Sequence, residues 1–114
     1  MKYTESAGVK AGAKAPSAAM AMNRAVAAIA DLKTPYDDDK TAERTTYTVG
    51  LVKCSEAPAG GRSRECTLMV DMRSPTPGPL TDIRRKIEPQ FEKALTAENA
   101  KYGLKNTDKN AVKM

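Results

Sequence analysis

The sequence predicts an α+β domain with the split βαβ, ferredoxin-like order: a four-stranded antiparallel sheet with both helices on one face. Apolar and polar residues alternate at 65–73, which is typical of a half-buried strand. A run rich in β-branched residues precedes it at 45–53, and helical patterns at 18–32 and 79–102 flank the pair. With weak strands at both ends, the order is strand, helix, strand, strand, helix, strand.

Length and composition fit one small domain, 1–114. Of the 114 residues 40% are hydrophobic, but only one is Phe and none is Trp. We therefore expect a small core of moderate stability. No apolar run is long enough to span a membrane, and the first residues lack the charged-then-apolar order of a signal peptide. A cytoplasmic location is the expectation.

The chain is basic, with 19 Lys and Arg against 14 Asp and Glu, a net charge of +5. These residues are spread along the sequence, and few aromatic side chains are available to stack bases. Nucleic-acid binding is therefore not favoured. A basic RNA-binding domain of the same fold stays an alternative, although the 65–73 strand carries no aromatic residue.

The candidate metal, phosphate and redox residues are few. Cys54 and Cys66 fall on neighbouring predicted strands, so a disulfide is conceivable, but two reduced thiols are the favoured interpretation. With no His and only two Cys, a zinc site of the usual kind is excluded. The three aspartates at 37–39 favour a solvated turn over a cation site, and the glycines at 8–12 favour a connecting loop over a phosphate site. We expect no catalytic residue, no metal site and no cofactor.

The first third of the chain predicts a weak edge strand at 3–9 and then a helix. Ser17 is a candidate N-cap, because its hydroxyl can accept a hydrogen bond from a free N–H of the first turn. The helix is predicted from Ala18 to Leu32. The residues at helical spacing that should face the sheet are Met22, Ala25, Val26, Ile29 and Leu32.

The two middle strands are joined by residues 54–64, so they should be antiparallel neighbours. On the first strand, Tyr47, Val49 and Leu51 should share one face, and Thr46, Thr48 and Val52 the other. On the second strand, the two faces should hold Cys66, Leu68, Val70 and Met72, and Thr67, Met69, Asp71 and Arg73.

The second helix is predicted from Pro79 to Tyr102, after a proline-rich corner at 74–79. Pro89 inside the pattern should kink it, and Gly103 should end it. Its apolar stripe is Leu80, Ile83, Ile87, Phe91, Ala94, Leu95 and Tyr102. Glu98 is assigned to the polar face. The tail, 104–114, should add a short last strand or fray.

Several segments together resemble a known domain. They are 16–18 with 23–32, then 45–50 (TTYTVG), 65–74 (ECTLMVDMRS) and 97–103. In this order they are similar to the dimerisation (lid) domain of the zinc-dependent exopeptidase family of aminoacylases, acetylornithine deacetylase, dipeptidases and glutamate carboxypeptidases. The family's zinc ions lie in a separate catalytic domain, which is absent here. The resemblance therefore implies a lid without zinc, without a general base and without enzymatic activity.

The resemblance also implies one site residue. A lid arginine at the end of this strand approaches the substrate carboxylate, and Arg73 matches it. The family's lid histidine and asparagine have no counterpart in the loops 8–12 and 57–62. Use of Arg73 as a surface charge beside Asp71 is the favoured interpretation.

These observations predict a homodimerising interaction module. The expected interface is an edge strand together with the first helix, Ser17–Leu32, because an edge strand offers unpaired N–H and C=O groups to a second sheet. The alternative partner is a separate metallopeptidase chain that this domain completes in trans, with Arg73 near the substrate carboxylate.

Overall fold

A computed structural model of the chain describes residues 1–6, 9, 13–36, 45–57 and 61–114. Its elements are β1 (Lys2–Thr4), α1 (Ala18–Ala30), β2 (Thr46–Cys54), β3 (Glu65–Arg73) and α2 (Pro77–Lys101). The α+β class is confirmed, and β3 has the predicted bounds. The acidic run 37–39 and most of the glycine loop 8–12 lie outside the described residues.

In the described residues the sheet has three strands in the order β1-β3-β2, and both pairs are antiparallel. The predicted four-stranded sheet is wrong. In the described part of the tail, one isolated bridge joins Thr4 and Lys113, whose backbone groups exchange hydrogen bonds of 2.8 and 2.9 Å. The first strand is also shorter than predicted, because the chain leaves the sheet after Thr4 and buries Glu5.

The tail forms turns instead of a strand: the Ala111 N–H, which a longer strand would direct to β1, donates to the Asp108 carbonyl at 3.1 Å. The Asn99 side chain accepts from the Val112 N–H at 2.8 Å and donates to its carbonyl at 3.1 Å. The Val112 groups point away from β1, because neighbouring residues of a strand direct their backbone groups to opposite sides, so Asn99 ties the tail to α2. The tail is nevertheless part of the core, since Ala111 and Val112 are fully buried.

A β-bulge at Gly50 changes the faces of β2. The register of β2 against β3 shifts between Val49 and Leu51, and Gly50 is the extra residue. One extra residue exchanges the two faces of a strand beyond it. The predicted faces of Leu51 and Val52 are therefore wrong: Leu51 lies on the open face of the sheet, opposite the helices, and Val52 on the helix side.

Cys54 and Cys66 form a disulfide, so the predicted pair of reduced thiols is wrong. The register places the two residues directly opposite each other on β2 and β3, with their Cα atoms 4.0 Å apart. Tyr3 lies opposite Cys66 on the other side. The register of β2 against β3 brings the two sulfurs together. The spacing of the two cysteines along the chain does not by itself predict this pairing.

The helices cover one face of the sheet. Met22, Ala25 and Ile29 of α1 are buried as predicted, and Ser17 caps the helix by accepting from Met20 N–H at 3.2 Å. The helix α2 starts two residues earlier than predicted and continues through Pro89. Its buried residues are Ile83, Ile87, Phe91, Ala94, Leu95, Glu98 and Asn99.

Candidate interaction surface

Two buried carboxylates hold the N-terminus of α1. Glu5 accepts from the Ala18 N–H at 2.9 Å, and Glu98 accepts from the Ser17 N–H at 3.0 Å. The side chain of Glu5 is 0% exposed and that of Glu98 1%. Negative charge is favourable at a helix N-terminus, where N–H groups lack partners. The chain thus fills with its own side chains the place where an anion would bind.

Arginine side chains complete this cluster and neutralise it. Arg62 Nε lies 2.8 Å from Glu5 Oε1, and its other nitrogens donate to the carbonyls of residues 13, 15 and 16 at 2.9–3.1 Å. Arg24 Nε lies 3.1 Å from Glu98 Oε1. A buried charge needs such a partner, so we assign the cluster a structural role. It fixes α1 against the sheet.

The rest of α1 has almost no charge. Arg24 is the single charged residue between Ala18 and Ala30, and it is paired with Glu98. A helix that faces water on one side normally carries charged residues there. The helix α2 follows this rule with exposed side chains at Arg84, Arg85, Lys86, Glu88, Glu92, Lys93 and Lys101.

An uncharged groove of about 480 Å³ lies between α1 and β2, and we call it the α1–β2 groove. It is lined by Val26, Ile29, Ala30, Tyr36, Thr45, Thr46, Tyr47, Thr48 and Val49. The Tyr36 hydroxyl donates to Asp82 of α2 at 2.8 Å, which fixes one wall. The described residues that line it are aliphatic, aromatic or threonine, and none of them is charged.

The strand β2 forms an edge of the sheet. In the described ranges it pairs with β3 and with no other strand. From Thr46 to Val52 it carries no charge, and Leu51 and Val52 are each 46% exposed. In monomeric proteins, charged residues or proline usually protect an edge strand from pairing with a strand of another chain. We call the groove, the exposed side of α1 and the outer edge of β2 from Thr46 to Val52 the α1–β2 flank.

Two other surfaces of the described molecule carry charged residues. A groove of about 680 Å³ is lined by Met1, Lys2, Arg85, Glu88, Pro89, Phe91, Glu92 and Met114. Half of these residues are charged. On the open face of the sheet, Met69 is 58% exposed between Thr67 and the charged pair at Asp71 and Arg73. Neither surface shows the loss of charge seen on the α1–β2 flank.

The predicted site residue Arg73 lies at the end of β3, on the open face. Its Nε and Nη2 donate to the two carboxylate oxygens of Asp71, both at 3.0 Å. The hydrogen bond and the charge of Asp71 raise the pKa of Arg73, and its side chain is 78% exposed. Two of its donors are thus used within the strand, which supports the interpretation as a surface charge. A role toward a substrate carboxylate stays a prediction.

Glu5, Arg62 and Glu98 are the residues that sequence analysis missed. Glu98 was detectable, because Ile87, Phe91, Ala94 and Leu95 continue to it at helical spacing. Glu5 and Arg62 are far apart along the chain, and the fold alone brings them together.

Together, the fold and the surface define a small disulfide-bonded α+β domain in which the described residues of the α1–β2 flank carry no unpaired charge. No known protein family, curated protein or solved structure matches the chain, so the resemblance to exopeptidase lid domains stays a prediction. Within the described residues, no helix is both long and apolar enough to cross a membrane. In the same ranges, no three His, Cys, Asp or Glu side chains are grouped to hold a metal ion.

Proposed function

We propose that the chain is a homodimerising interaction module without catalytic activity of its own, and that its interface is the α1–β2 flank. The observation that carries this proposal is that, among the described residues, no unpaired charge lies on α1, on the groove lining or on β2 from Thr46 to Val52. In the whole chain 29% of residues are charged. A surface without charge on so charged a chain favours contact with protein over contact with water.

A second copy is the partner that this flank suits best. Two antiparallel β2 edges complement each other across a two-fold axis, since each offers the same backbone groups. Each copy carries a net charge of +5, so two copies can approach most easily through uncharged surfaces. The joined sheet would have six strands, with both α1 helices on one side beside the grooves.

The dimer is also the role that the lid-domain resemblance implies. The alternative role, completion of a metallopeptidase in trans, rests on Arg73, whose guanidinium is paired with Asp71. An RNA-binding role has less support, because the described open face carries no aromatic side chain. We do not extend the proposal to a cytoplasmic location, since disulfides are typical of oxidising compartments.

The test is a charge placed in the groove. Ala30 is exposed and lines the α1–β2 groove, at the C-terminal end of α1 where a cation suits the helix dipole. Ala30→Lys should therefore leave the monomer folded and raise the dimer dissociation constant at least about tenfold, because each copy would have to desolvate an ammonium group in the interface. Sedimentation equilibrium across a concentration series measures it.

Ala97→Lys is the matched control, because Ala97 is an exposed alanine on the outer side of α2. It should leave the dissociation constant unchanged. A wild-type protein that stays monomeric through the concentration series contradicts the proposal, and so does an equal effect of the two variants.

A further inference from the structure

We infer that the Cys54–Cys66 disulfide regulates the dimer: its reduction to two thiols loosens the second half of β2 and weakens self-association. The inference rests on the proposed homodimer. It concerns the same edge strand, whose two halves are held to the domain in different ways.

The first half of β2 is anchored by side chains. Tyr47 and Val49 pack against the core, and just before the strand the Thr45 hydroxyl lies 2.9 Å from the Ser74 hydroxyl. Thr45 itself is 1% exposed. These contacts do not depend on the disulfide, so the end of β2 beside the groove should keep its place in either redox state.

The second half, beyond the bulge at Gly50, has little packing. Leu51, Val52 and Lys53 are all exposed, so backbone pairing with β3 is their main attachment. Cys54 ends this half, and its bond to the fully buried Cys66 is the covalent tie to the core. The disulfide therefore holds the half of the edge strand that burial does not hold.

Hydrogen bonds next to the disulfide should make the change local and reversible. The Ser55 N–H donates to the Glu65 carbonyl at 2.8 Å, and the Ser55 hydroxyl accepts from the N–H groups of Arg64 and Glu65 at 3.1 Å. These bonds keep the strand ends close after reduction. The two thiols then stay near each other and can be oxidised again.

The reaction is thiol–disulfide exchange with a dithiol reductant. Attack is expected at Cys54, because this residue is half-buried whereas Cys66 is 0% exposed. A reductant thiolate bonds to Cys54 Sγ, the bond between the two cysteines breaks, and Cys66 leaves as a thiolate that takes a proton. The second reductant thiol then displaces Cys54. Two electrons and two protons pass to the protein, and the dithiol becomes a disulfide.

The experiment compares the oxidised wild-type chain with the same chain reduced by dithiothreitol. Sedimentation equilibrium gives the dissociation constant, mass spectrometry after alkylation counts the thiols, and hydrogen exchange reports on the amides of 50–54. We expect full reduction to raise the dissociation constant by roughly tenfold, since fewer molecules hold the edge in its pairing-competent form. At protein concentrations well above both dissociation constants, where either redox form is dimeric, exchange should quicken in 50–54 and stay slow in 46–49. Reoxidation should restore the original dissociation constant.

The double variant C54A/C66A is the redox-insensitive control and should match the reduced protein with or without dithiothreitol. If that variant does not fold, the reversible change in the wild-type chain still decides the question. An oxidised protein that is monomeric overturns the proposed function itself. An oxidised dimer whose dissociation constant is unchanged by full reduction overturns the regulation alone, as does global unfolding on reduction seen by circular dichroism.

Discussion

Glu5 and Glu98 occupy the positions that water or a bound anion takes at many helix N-termini. Each accepts a backbone N–H at the start of α1, and each is matched by an arginine. This pairing makes burial of the carboxylates tolerable, because an unpaired buried charge is strongly destabilising. The position of α1, and with it the α1–β2 groove, therefore depends on single side chains distant in sequence.

Tyr3 is the residue on which we base a prediction of pH dependence. It is 0% exposed, its hydroxyl donates to the Phe91 carbonyl at 2.6 Å, and its ring stacks on Phe91 with centroids 3.9 Å apart. Burial raises the pKa of Tyr3 above its ordinary value. The folded state therefore holds this proton after the unfolded state has lost it. Its contribution to stability is complete below the unfolded pKa of 10.0 and is lost as the pH rises above that value.

We expect Tyr3→Phe to lower the free energy of unfolding by about 1 kcal/mol at neutral pH, through loss of the hydrogen bond. The variant should also lose less stability than the wild type between about pH 9 and 11. Urea denaturation at each pH measures both effects. Tyr102→Phe, at an exposed tyrosine, is the control and should change neither. An identical alkaline loss in wild type and Tyr3→Phe would show that Tyr3 does not titrate as argued.

Among the elements, α2 is one continuous helix from Pro77 to Lys101 although Pro89 lies inside it. Proline has no N–H for the carbonyl four residues earlier, which is that of Arg85. The apolar residues on both sides of Pro89, Ile87 and Phe91, are buried on the same face. Packing of this face against the core thus stabilises the helix at Pro89, where one backbone hydrogen bond is missing.

Pro89→Ala should stabilise the fold, because the new N–H can bond to the Arg85 carbonyl. We expect the free energy of unfolding to rise by about 1–3 kcal/mol. Pro79→Ala is the matched control: position 79 lies in the first turn, where the N–H has no helical partner, so its effect should be near zero. Thermal and urea unfolding of both variants and the wild type measure the two changes in the free energy of unfolding. Equal effects at both positions would refute this explanation.

For the whole molecule, charge is distributed unevenly. Many exposed charges lie on α2 and others lie elsewhere, such as Lys33 and Lys53, whereas the described residues of the α1–β2 flank carry no unpaired charge. In the proposed dimer, two chains of +5 each repel at long range while their contact surface is neutral. Salt should therefore act on the repulsion and leave the interface itself unaffected.

We predict that the dimer becomes tighter as salt increases. Between about 20 and 300 mM NaCl the dissociation constant should fall severalfold, because screening weakens the repulsion. Light scattering at matched protein concentrations measures it. An interface of salt bridges would respond in the opposite sense, and so would binding to RNA. A dissociation constant that rises with salt would therefore contradict the neutral interface.

The sequence alone determined the α+β class, the position of β3 and the buried side of α1. Periodicity reports these features directly, because a strand or helix shows its buried face in the spacing of its apolar residues. The bulge at Gly50 had only a weak signal, a glycine within a strand pattern. It nevertheless moved Leu51 to the open face.

Only the tertiary structure decided the strand count, the disulfide, the buried charge cluster and the α1–β2 groove. Each depends on which distant residues meet: Thr4 with Lys113, Cys54 with Cys66, and Glu5 with Arg62. Local patterns record the environment of one segment and not the register between segments. The pairing of β2 with β3 sets that register, and through it the edge and the groove on which the proposed function rests.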